Sequence, residues 1–78
     1  MDSERIVKIL LNMYKQKDAL LGSVKFVLIP HIERVLSNAD IKASIEWNNI
    51  NDYQLIKQFD DLMRNNTDKL FVFESLFC

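Results

Sequence analysis

Cysteine, proline, glycine, histidine and tryptophan each occur once in this 78-residue chain. Each scarcity excludes something. One cysteine, Cys78, cannot close an internal disulfide, which suits a reducing compartment and a cytoplasmic location. One histidine, His31, with no cysteine near it in sequence, cannot complete a metal site. One glycine, Gly22, rules out a Gly-rich phosphate loop. With one glycine and one proline the chain has few irregular loops to build. No Ser-His-Asp or Cys-His set can be assembled, so no catalytic residue is assigned and an enzyme is not expected. No cofactor motif is present either.

Charge of one sign is also lacking. Ten Lys and Arg face eleven Asp and Glu, for a net charge of −1. A nucleic-acid binder usually carries a basic face, so this partner class is disfavoured. No apolar run approaches the roughly 20 residues of a membrane span. The first residues, Met-Asp-Ser-Glu, do not have a signal-peptide layout.

Apolar residues, in contrast, are abundant, at 49% of the chain with five Phe, two Tyr and one Trp. A domain this small buries only about 60% of the surface its unfolded form exposes. A surplus of apolar surface is therefore expected to stay exposed or be covered by a partner. Frequent Asn, Ile, Lys and Phe fit the AT-rich coding sequence of a microbe or virus.

The clearest helix is Asn51 to Asn66. Leu55, Ile56, Phe59, Leu62 and Met63 share one face, with Lys57, Asp60, Asp61 and Arg64 opposite. Asn51 or Asp52 caps it, with Gln54 placed to reach back to Asn51 as a capping-box partner; Asp60 and Arg64 form an i,i+4 pair, and Asn65 or Asn66 a left-handed cap. An earlier helix is expected from a Ser3 cap to Leu21, with Ile6, Val7, Leu10, Met13 and Tyr14 as its apolar stripe. Ile9 and Leu11 widen that stripe, and Gly22 supplies the left-handed end.

Three segments read as strands. Ser23–Ile29 is rich in Val and Phe, with Pro30 starting a short helix to Ser37. Ile41–Trp47 alternates Ile41, Ala43, Ile45 and Trp47 with Lys42, Ser44 and Glu46. Leu70–Phe73 is apolar on both sides. The expected fold is thus a single α/β or α+β domain over residues 1–78, with about three strands and three helices. The alternative is an all-α bundle in which Gly22–Ser37 is one helix kinked at Pro30. Helix content well above about 60% would remove the sheet model.

The expected function is a small non-enzymatic protein-interaction module, such as an inhibitor, an immunity-type protein or a regulatory subunit. Its partner is another protein or a second copy. The candidate interface comprises Trp47, Asp60, Asp61, Leu76 and Phe77: aromatic types common at interface centres, acidic side chains on a wet helix face, and an apolar tail. Asp52, Asp68 and Glu46 extend the acidic part. One alternative is a nucleic-acid-associated regulator using Arg5, Lys8, Lys15 and Lys17. A minor enzyme or small-ligand carrier is the third.

Overall fold

The computed structural model describes residues 2–78. The chain forms four α-helices: α1 (Asp2–Leu21), α2 (Lys25–Asn38), α3 (Asp52–Arg64) and α4 (Leu70–Phe77), the last entered through a 3-10 turn at Thr67–Lys69. Helices cover 75% of it, and no strand occurs among the described residues. The α/β expectation is therefore overturned, and the all-helical alternative describes the molecule.

The third helix is the element the sequence specified most fully. Gln54 N donates to Asn51 Oδ1 at 2.8 Å, and Asn51 N donates back to Gln54 Oε1 at 3.1 Å. Both halves of the capping box are thus made. Leu55, Phe59 and Met63 are fully buried, while Ile56 and Leu62 are half-buried. Its end differs from expectation. Asn65 has φ −85° and Asn66 φ −136°, so neither takes the left-handed conformation.

Helix α1 lies against the other three helices and buries Ile6, Ile9, Met13 and Leu20. The buried stripe is thus rotated from the expected one, and Val7 and Tyr14 face outward. Ser3 lies inside the helix and does not cap it. Gly22 has no positive φ. Its requirement is space, because a Cβ there would lie 2.5 Å from the Asp18 carbonyl oxygen.

The first expected strand, Ser23–Ile29, is a turn at Ser23 and Val24 followed by the first five residues of α2, of which Pro30 is the sixth residue. Leu28, Ile32, Val35 and Leu36 turn toward the core at helical spacing. That long-range burial outweighs the local β-preference of Val and Phe, which is a weak prior. Pro30 faces solvent, so the Phe26 carbonyl it cannot bond also lies on the exposed side. Replacing Pro30→Ala restores one hydrogen bond but frees the unfolded chain. We expect a net gain of about 1–2 kcal/mol in urea unfolding; a loss would mean that proline sets the helix direction.

Helix α2 ends in a Schellman motif. Asp40 takes φ 59°, Asp40 N donates to Ser37 O at 3.0 Å, and Ile41 N donates to Leu36 O at 2.9 Å. Aspartate occupies the place usually held by glycine. The second expected strand, Ile41–Trp47, follows as a connector with no ladder. It keeps part of its alternation: Ile41 is buried, Ile45 and Trp47 are half-buried, and Lys42, Ser44 and Glu46 are exposed. Asn49, at φ 58°, turns the chain into α3.

The third expected strand is the start of α4. Leu70, Phe73 and Phe77 recur at i, i+3 and i+7 and are buried with Val72. The ring of Phe59 stands edge-on to Trp47, Phe73 and Phe77, with centroids 6.1, 6.4 and 5.4 Å away. This aromatic group is the centre of the core.

Candidate functional site

The five candidate interface residues do not form one surface. Phe77 is only 3% exposed and belongs to the core. Leu76 is half-buried beside it. Trp47 is half-buried too, with Nε1 donating to Glu33 Oε1 at 3.0 Å. Asp60 and Asp61 point apart, as adjacent helical residues must. Asp60 accepts from Arg64 Nε at 3.0 Å and borders a groove toward α1. Asp61 lies 3.6 Å from Lys57 Nζ and borders hollows beside residues 44–50.

The apolar surplus is exposed elsewhere. Val7, Leu11 and Tyr14 of α1 are each at least half exposed. They recur at i, i+4 and i+7, the spacing of a helix-packing seam. The seam continues sideways onto α3. Leu10, Tyr53 and Ile56 share a groove of about 340 Å³ with Lys57, Asp60 and Arg64. Lys17 joins the two helices at one end, with Nζ 3.0 Å from Asp52 Oδ2 and 5.3 Å from the centre of the Tyr14 ring. Hydrogen bonds to Asp52, then to Asp18, raise the Lys17 ammonium above the ordinary lysine value. The sequence reading missed this surface because it treated all apolar positions of α1 as one stripe. The separate 7-11-14 spacing was the available signal.

The basic residues of α1 are only partly available. Arg5 is engaged by Glu74 of α4. The bond to Arg5 lowers the Glu74 carboxyl from its ordinary value, and the same bond raises the arginine. Lys8 and Lys15 make no ion pair among the described residues and lie along the edge of the seam away from α3.

No group of three His, Cys, Asp or Glu side chains among the described residues could hold a metal ion. No described helix is long and apolar enough to cross a membrane. His31 is exposed on α2, its Nδ1 3.1 Å from an Arg34 nitrogen. Cys78 is exposed and takes a bond from Asn12 Nδ2 at 3.0 Å. A hollow of about 450 Å³ lies where α2 meets the connector and is lined by Ser37, Asp40, Ile41, Lys42, Ala43 and Ser44. Comparison with known protein families, characterised proteins and solved structures returns no match for this chain.

Proposed function

We propose that this chain is a small non-enzymatic protein-interaction module that docks a helix of another protein on the exposed face of α1. One observation carries the reading: Val7, Leu11 and Tyr14 stay exposed at seam spacing, beside Tyr53 and the Leu10–Ile56 groove. Exposed large apolar side chains gathered on one side of α1, rather than scattered singly, commonly mark an interaction site. Lys8 and Lys15 flank the seam on one side and favour acidic side chains on the incoming helix. They also disfavour a second α1 in antiparallel array, which would bring lysine against lysine.

A second reading, a nucleic-acid-associated regulator, draws on those same two lysines. Against it stand the net charge of −1 and the engagement of Arg5 and Lys17 by carboxylates of the chain itself. Two phosphate contacts would give weak binding that is easily screened by salt.

Photo-crosslinking separates the readings. A benzophenone side chain placed at position 11 or 53 is expected to capture one protein in native extract. The same group at Phe71, exposed on α4, serves as the control. A nuclease-sensitive adduct at position 11 would favour the second reading. Identical adducts at 11 and 71, or none at 11, would dismiss the docking face.

A further inference from the structure

The connector Ile41–Trp47 has the sequence of a strand and no strand beside it. No backbone N–H or carbonyl of residues 42–45 is hydrogen-bonded within the described chain. Glu46 is the exception next to them: its N–H donates to Gln58 Oε1 at 2.9 Å, and its carbonyl accepts from Gln58 Nε2 at 3.5 Å. In an extended chain, alternate residues present their backbone groups to opposite edges. The edge used by Glu46 therefore faces α3. Pairing with another strand requires residues 42–46 to be extended; the edge used by Ala43 and Ile45 then lies opposite the Glu46 edge, and Ala43 and Ile45 line a hollow of about 260 Å³ with Glu33 and Leu36.

We infer that this free edge pairs antiparallel with the same segment of a second copy, about a two-fold axis at Ser44. The order of residues is self-complementary about that point. Ala43 falls opposite Ile45 of the second copy, and Ile41 opposite Trp47. Lys42 falls opposite Glu46, and by symmetry Glu46 opposite Lys42, so both charged pairs are of opposite sign. In this register Ala43 and Ile45 exchange backbone bonds with Ile45 and Ala43 of the second copy. The Glu46 backbone keeps its bonds to Gln58. Lys42, Ser44 and Glu46 are exposed and stand ready for such pairing. An open strand edge of this kind is a template for another chain, and its two charges determine which chain fits.

Seven residues bury less than the roughly 800 Å² per partner of a stable interface, so the pairing is weak and concentration-dependent. The inference does not depend on the α1 docking face. Sedimentation velocity from micromolar to about 1 mM protein is the test. The native chain is expected to pass from monomer to dimer. Lys42→Glu and Glu46→Lys, each placing like charges opposite, should raise the dissociation constant about tenfold. The double exchange K42E/E46K, and an equimolar mixture of the two single variants, should recover the native value. Circular dichroism should be unchanged throughout, because both side chains are exposed. A monomer at every concentration would overturn the inference. So would a dimer that ignores the reversals or is not recovered by the exchange.

Discussion

Truncating Phe59→Ala is expected to cost about 3–5 kcal/mol, the range for a fully buried Phe whose site cannot collapse. A domain of this size has only about 4–12 kcal/mol in total, so the variant stands near its unfolding limit. The reason is position. Phe59 is wholly enclosed, and three aromatic rings, one from the connector and two from the middle and end of α4, stand edge-on to it. No small shift of one helix can fill the space, because the lining comes from different elements. Trp47 is the single tryptophan and touches the cavity that would form, so its fluorescence reports the change directly. Urea unfolding followed at Trp47 should show the midpoint falling, and the melting temperature should drop by about 15 °C or more. A loss below about 1.5 kcal/mol would mean that the ring is not the centre of the core.

Phe77→Ala is expected to cost about 2–4 kcal/mol, although Phe77 is the last residue of the last helix. Chain ends usually fray, and a tail aromatic waiting for a partner would lose under about 0.5 kcal/mol on truncation. Phe77 is held differently. Its ring lies 5.4 Å from that of Phe59, and its carbonyl accepts from Gln16 Nε2 of α1 at 3.0 Å. The double variant should fall short of additivity by about 0.5–1.5 kcal/mol, because the two rings share one contact. Full additivity would place the two rings in separate clusters.

How much of this was legible follows from how far each signal reaches along the chain. Helix α3 was legible because cap, period and charge pairs all lie within sixteen residues and agree. The Lys25–Asn38 helix was legible only as the alternative, because its β-favouring residues and Pro30 argue locally for a strand. Leu28, Ile32, Val35 and Leu36, packed on a core assembled from other helices, decide for the helix. The Leu70–Phe73 window was too short to separate a buried strand from a buried helix. Extended to Phe77, the same segment shows Leu70, Phe73 and Phe77 on one side and Phe71, Glu74 and Ser75 away from it. The connector keeps only part of its alternation, with Ala43 exposed, and a pattern does not supply the neighbouring strand. Among interface candidates, an apolar surplus was legible in composition. Its location was not, because composition does not say which of Phe77 and Leu11 the fold encloses.

The pairing of α1 with α4 joins segments more than 60 residues apart: Arg5 meets Glu74, Asn12 meets Cys78 and Gln16 meets Phe77. During translation, then, the growing polypeptide carries a hydrophobic centre with one wall missing until position 77 has been added. Helices form within about a microsecond, while elongation runs at about 5–20 residues per second. Phe77 follows Phe59 by 18 residues, about 1–4 s of synthesis, and for at least that long the ring that covers Phe59 is absent.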